Sequence, residues 1–318
     1  MVLLKRLRQV IEFVVTLFLV TLVTYFLTSK LPGNEAAVIC GASSHACVVH
    51  EQAVLYLTHP FFSRYWHWLH ALVTGNLGNT VSPPVPITTM LKQSYGVTLE
   101  LIIYSQIIAI IVAVPLAMWG ALHANGLFDR VSTGISFATL SLPVFIIGPL
   151  LVLFFEVESP WFRPPTIVPP LWSSPITNLH AFFLPALTLA LGSIAVYQRL
   201  LRADMIATLE EDFIVMARSK GLSTPRILFR HALRPSTFTL MTVGGVQIGT
   251  LITGAVIAEN VFGLNGLGSE LITAVAKKDL PTVQVITIIV ALVFIICNLG
   301  IDQLYSVIDP RVRRARAV

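Results

Sequence analysis

The sequence predicts an all-α polytopic membrane protein with six transmembrane helices and cytoplasmic N and C termini. Three observations carry this reading. Of 318 residues, 55% are hydrophobic and only 12% charged, about half the charged share usual in soluble domains, and the mean hydropathy is +0.80. Six apolar runs recur along the chain, and a run of about 20 residues crosses a hydrocarbon core of about 30 Å as a helix. The basic residues sort by side: three at the N-terminus, one in the turn 123–130, seven in 198–236 and four in the tail, leaving six of the 21 for the other face. Lys and Arg collect in cytoplasmic loops, so this asymmetry orients the chain, and the reverse topology would invert it.

The first run, Val10 to about Leu27, follows Lys5, Arg6 and Arg8. It is too long for a signal-peptide core and lacks a small-x-small cleavage site, so it reads as an uncleaved membrane helix. Glu12 lies near its inner end, where a long side chain snorkels or pairs with a nearby Arg. Residues 29–93 are mixed polar and aromatic with no spanning stretch, and read as an extracytoplasmic segment. Cys40 and Cys47 enclose a short loop there. An oxidising compartment permits a disulfide between them, with two free thiols the alternative. Tyr65, Trp66 and Trp68 read as interface aromatics. The histidines at 45, 50, 59, 67 and 70 are irregularly spaced, and no metal site is expected from them. His50-Glu51 opens an HExxH pattern that fails at Val54.

The second run is Val97 to Trp119, with Glu100, Ser105 and Gln106 toward its outer half. Polar groups within a span are either functional or helix-to-helix hydrogen-bonding partners. The third run, Val131 to Phe155, contains Pro143 and Gly148, which predict a kink. The fourth, Ala181 to Val196, follows a Pro-rich outer loop. The fifth, Phe238 to Ile257, carries the GxxxG of Gly245 and Gly249, a spacing that allows close helix approach. Between it and the sixth, Pro281 to Ile301, lies an outer loop expected to hold a short surface helix. The tail 306–318 is basic.

Several chemistries lack their residues. No G-x-x-x-x-G-K-[ST] phosphate cradle, G-x-S-x-G elbow, HExxH or CxxCH is present. Glu210, Glu211 and Asp212 adjoin one another in a cytoplasmic loop and read as a solvated face. The net charge of +5 is scattered over several loops, which speaks against a nucleic-acid partner. What stands out is the mixed-charge stretch Asp204–Pro235 between oily runs. Its charges bar it from lipid at roughly 2.5–3.5 kcal/mol each, and its pattern suggests two short helices around Gly221 and Pro225. It has the character of a docking surface.

That stretch resembles the EAA motif of ABC importer permeases. Ala217 and Gly221 match it, although Val215-Met216 stand where the motif has Glu-Ala. It is more similar to the peptide branch, through Ala217-Arg218-Ser219-Lys220-Gly221-Leu222 and His231-Ala232-Leu233-Arg234, with Pro235 where that branch commonly has Asn. Further fragments in matching order are Leu31-Pro32-Gly33, Gly75-Asn76-Leu77-Gly78-Asn79-Thr80, Leu184-Pro185-Ala186-Leu187, Glu259-Asn260-Val261-Phe262 with Gly266 and Gly268, Asp279-Leu280-Pro281 and Asp309-Pro310-Arg311. On these residues the chain resembles the membrane permease subunits of dipeptide, oligopeptide and nickel ABC importers.

The resemblance implies a type I ABC importer permease fold: residues 1–94 as first helix and extracytoplasmic loop, 95–305 as transmembrane domain with a coupling loop at 198–236, and 306–318 as tail. It implies half of a heterodimeric pore in a prokaryotic plasma (inner) membrane, working by alternating access. The partners would be a second permease subunit, two ABC ATPases that bind ATP and Mg, and an extracytoplasmic binding protein. No cofactor and no catalytic residue are expected in this chain. Met216, Ala217 and Leu222 are the expected apolar contacts with an ATPase, Arg218 and Lys220 the charged ones, and Gly221 the turn. The expected substrate is a di- or oligopeptide, with nickel or glutathione as alternatives. A secondary transporter or channel is the competing class; it predicts charges deep in the spans and matched broken helices in two halves. A membrane enzyme is disfavoured by the missing motifs.

Overall fold

The computed structural model describes residues 2–30, 35–40, 45–54, 56–81, 83–158, 165 and 168–308. The Leu31-Pro32-Gly33 fragment and the basic tail from Asp309 lie outside them. Among the described residues every regular element is helical. In chain order these are α1 (Val2–Lys30), α2 (Glu35–Cys40), α3 (His45–Val54), α4 (Phe61–Val73), α5 (Ile87–Leu122), α6 (Leu127–Ser141), α7 (Val144–Val152), α8 (Pro175–Leu209), α9 (Asp212–Ser219), α10 (Thr224–Arg226), α11 (Leu233–Phe262), α12 (Leu267–Lys277) and α13 (Leu280–Ile308). π turns at Leu153–Val157 and Ile227–Ala232 extend α7 and join α10 to α11. Two compact units emerge, one principally Met1–Val97 with Asn265–Ile296, the other principally Thr98–Leu264. The expected boundary at 94/95 lies inside α5.

Five helical stretches among the described residues are long and apolar enough to span: Ile11–Lys30, Ile87–Leu122, Pro175–Leu209, Thr224–Phe262 and Leu280–Gly300. The sixth expected span corresponds to a bent pair of helices, which together are long and apolar enough to cross. α6 and the helix from Val144 to Val157 meet at 103°, so the run 131–155 is sharply bent rather than mildly kinked. Pro143 is the cause. Its ring drives the preceding residue out of the helical region, and Leu142 sits at φ −96, ψ 122. Pro143, extended at ψ 148, then starts α7.

In the first unit, the described residues of segment 29–93 include the helices α2, α3 and α4. A disulfide joins Cys40 and Cys47 at a Cα separation of 6.0 Å and ties α2 to α3. α4 lays Tyr65 against α1, with ring centroids 6.0 Å from Phe18 and 5.6 Å from Tyr25. Tyr65 is buried, and its hydroxyl lies 2.9 Å from Thr21 Oγ1. It is therefore a core residue rather than an interface aromatic, because a buried phenol needs a polar partner and Thr21 is one. Trp66, by contrast, is exposed. Ile87 and Met90 of α5 pack with Leu267 of α12 and Val285 and Ile286 of α13. Asp279 organises the α12–α13 corner. One carboxylate oxygen accepts from Thr282 N–H (3.2 Å), the third position of α13, which is the N-cap geometry. The other accepts from Val81 N–H at 3.0 Å.

In the second unit α8 is the central element, packing on α6, α7 and α11. Small residues allow close contact. Ala109 and Ala113 of α5 meet Ala190, Ile194 and Tyr197 of α8. A Cβ placed on Gly254 of α11 would lie 2.8 Å from Leu189 Cδ2. Polar side chains pin the helices where they cross. Tyr197 donates to Gln106 Oε1 at 2.8 Å, Ser136 to Gln198 Oε1 at 2.9 Å, and Thr98 to Glu259 Oε1 at 2.6 Å. Glu100, expected as a polar group of the second span, accepts from Asn178 Nδ2 at 3.0 Å.

Candidate coupling loop

The stretch 198–236 is more helical than a loop. α8 continues to Leu209 and the helix resumes at Thr224, leaving the regular spiral only at 210–211 and 220–223. Glu211 is extended at φ −70, ψ 147 and starts α9. Asp212 in the first turn and Arg218 in the last are the signs that the helix dipole favours at each end. Eight residues are too few to hold a helix in water unaided, so α9 depends on its anchors.

One anchor is Gly221. It adopts φ +74, a left-handed conformation open to glycine and costly for most L-residues. The turn it makes closes two hydrogen bonds, Gly221 N–H to Arg218 O at 2.9 Å and Leu222 N–H to Ala217 O at 3.3 Å. These satisfy carbonyls that a helix end otherwise leaves open, as a Schellman motif does. The other anchor is a small apolar core of Ile214, Ala217 and Ile227, with Leu209 and Leu222 against it. Beyond it, Ser223 is extended at ψ 147 and Pro225 occupies the first turn of α10. The π turn Ile227–Ala232 then feeds α11 without a break. Pro235 thus falls just after the π turn, inside the continuous helix that leads into α11.

The six residues singled out from the sequence divide into two groups. Ala217 (6% exposed) and Leu222 face the loop's own core, and Gly221 makes the turn. They build α9 rather than present a surface, because the 3.6-residue period puts Ile214 and Ala217 on the inner face. Met216 (59% exposed), Arg218 and Lys220 point outward. Sequence reasoning missed Val215, 57% exposed beside Met216, and Phe213 on the flank. The helical period around Ile214 and Ala217 was the signal that finds them. An exposed apolar patch of Phe213, Val215 and Met216 with basic neighbours Arg218 and Lys220 has the composition of a protein contact site.

The loop is tied to the helices behind it. Arg202, seven residues before the end of α8, makes a two-pronged ion pair with Asp129 of α6, through Nε to Oδ1 and NH2 to Oδ2. Asp129 also accepts from Asn125 N–H at 2.8 Å. The same end of the unit holds Met118 and Ala121 of α5, Leu201 and Met205 of α8, and Leu228 and Ala232 of the π turn in one buried cluster. A force on α9 therefore meets α8 and α11 through packed side chains.

With this architecture in view, the comparisons define the class. The family model for the inner membrane component of binding-protein-dependent transport systems matches residues 113–314. The model for the N-terminal part of such membrane components matches residues 2–114. The chain belongs to this family. It is 32% identical over 307 residues to the glutathione transport system permease protein GsiC of Escherichia coli O6:H1 (strain CFT073), across 96% of this chain and 97% of that protein. GsiC of Escherichia coli K12 and of Pectobacterium atrosepticum are each 31% identical over the same length. A chain from inward-facing conformations of the MetNI methionine ABC transporter superposes with a TM-score of 0.58 over 70% of this chain and 98% of that chain. At 14% identity this likeness speaks to the fold, that of an ABC importer permease.

Proposed function

We propose that this chain is one permease subunit of an ATP-driven importer of short peptides in a prokaryotic inner membrane, and that α9 is the element on which an ATPase subunit acts. The observation that carries the proposal is the division of labour within α9. Ile214, Ala217, Gly221 and Leu222 stiffen it, while Val215, Met216, Arg218 and Lys220 are displayed outward. A displayed helix packed through Leu209 and Ile227 onto the ends of the long helices is what a mechanical input needs. With no phosphate-binding motif in the chain, ATP and Mg sit on two partner ATPases. A second homologous permease completes the pore, and an extracytoplasmic binding protein delivers the substrate.

In this reading ATP binding closes the ATPases and biases a two-state pore. A ligand shifts such an equilibrium only by its differential affinity for the two states. The contact at Met216, Val215, Arg218 and Lys220 must therefore differ in free energy between the inward- and outward-open forms. Glutathione is a second substrate reading, favoured by GsiC at 31–32% identity. Membership of the family weighs against the secondary-transporter and channel alternatives. The test is purification in mild detergent from the native host with identification of associated chains. Two P-loop ATPases, a second permease and a binding protein are expected. Recovery of the chain alone or as a homo-oligomer refutes the proposal.

A further inference from the structure

The first unit contains a cavity of about 640 Å³ walled by α1, α3, α4, the 76–84 segment and the start of α13. That is within the range of about 300–1,000 Å³ typical of small-molecule sites. Two opposite charges line it, Arg64 of α4 and Glu51 of α3. Arg64 Nε is buried with no hydrogen-bond partner among the described residues. A buried guanidinium donor left unpaired is costly, and the Glu51 carboxylate lining the same cavity makes no ion pair with it among the described residues. The remaining wall is amphipathic: Tyr25 and Trp68 lie 5.1 Å apart by ring centroid, and Tyr56 stacks on His67 at 4.1 Å. Tyr56 holds φ +57, at the turn where Leu57 N–H reaches back to Gln52 O at 2.9 Å. Glycine suits such a turn better, so tyrosine there sets a ring on the cavity at a conformational cost.

We propose that this cavity binds a small zwitterion of amino-acid or short-peptide type, Arg64 taking the carboxylate and Glu51 the ammonium. Guanidinium pairs with carboxylate through two parallel N–H donors, and the ring-lined wall suits the apolar body of such a ligand. Most residues that form the cavity belong to segment 29–93, which the charge pattern assigns to the outer face, with Tyr25 and the start of α13 closing it, so the site would meet a solute before the pore does. The choice of ligand class rests on the proposed function; the unpartnered Arg64 Nε and the Glu51 side chain lining the same cavity do not.

The experiment is calorimetry on the full chain in lipid nanodiscs with trialanine as probe. Saturable binding is expected, at least about tenfold weaker for trialanine amide and for N-acetyl-trialanine, about tenfold weaker again for Arg64→Ala and Glu51→Gln, and partly restored in Arg64→Lys. The two capped peptides read the same contacts on the unaltered chain, so a variant that fails to fold does not stall the test. Absence of trialanine binding, or equal binding of free and capped peptides, overturns the site. The readout needs no ATPase, so a failed co-purification leaves it standing, and its failure leaves the importer reading standing.

Discussion

Replacing Gly221 tests both the local geometry of α9 and its role. A Cβ at this position would meet no atom within 4 Å, and φ is +74. Steric clash is therefore absent, and the whole cost is backbone conformation. Forcing an ordinary L-residue into this region costs roughly 1–2 kcal/mol, which shifts the ratio of formed to unformed loop by a factor of about 5–30. Asn tolerates the conformation, whereas a β-branched residue is a true outlier there. The expected order of loop stability is Gly, Asn, Ala, Val. Hydrogen exchange at the amides of Gly221 and Leu222, whose bonds to Arg218 and Ala217 close the turn, reads that order directly. In proteoliposomes with the partner subunits, uptake per ATP hydrolysed should fall in the same order, by at most about 5–30-fold for Ala. Equal exchange across the four residues refutes the conformational argument. An exchange series in the expected order with unchanged uptake refutes the coupling role while leaving the geometry intact.

Three further outcomes are expected. Arg202→Ala leaves Asp129 unpaired in a buried setting and should lower stability by about 1–3 kcal/mol, less than for a fully buried pair because Arg202 keeps some solvent contact; an Asp129→Leu/Arg202→Met double variant that melts no higher in detergent than Arg202→Ala contradicts this. Gly254→Ala drives a methyl to 2.8 Å from Leu189 Cδ2 and should cost about 1–3 kcal/mol, and Leu189→Ala in the same chain should recover part of it; failure of that rescue in thermal melts means the α8–α11 contact is not the cause. Asp279→Ala removes the α13 cap and the hold on Val81 N–H. It should cost about 1–2 kcal/mol and raise hydrogen exchange at Val81 and Thr282 together; a rise at Thr282 alone separates the two roles and counts against a shared anchor.

The spans were legible because hydropathy and charge asymmetry are local sums along the chain. The turn at Gly221 was legible because few residues other than glycine close a short helix in that way. The 103° break at Leu142-Pro143 was legible as a proline but not as an angle, since the run stays apolar across it. Residues 29–93 were read as a segment without spanning character, and that reading hid α2, α3 and α4. Short helices of mixed composition owe their stability to partners elsewhere, such as Thr21 of α1 for Tyr65 of α4. The hold of Asp279 on Val81 crosses 198 positions, a distance no periodicity reports. Within 198–236 the division into inner and outer faces depends on Ile214 and Ile227 sharing a core, a contact between two helices that sequence spacing does not report.

The unbroken passage from α10 through the π turn Ile227–Ala232 into α11 fixes how α9 is aimed. Each residue in a helix advances the chain by about 100° around its axis, and a wide turn changes that phase by the equivalent of one inserted residue. The azimuth of the exposed α9 patch about α11 is therefore set by the turn at 220–223 together with the number of residues between Thr224 and Leu233. Length changes in this short segment would swing the patch to another bearing while leaving every patch residue in place, so under the proposed ATPase contact two permeases with identical patch chemistry need not accept the same ATPase.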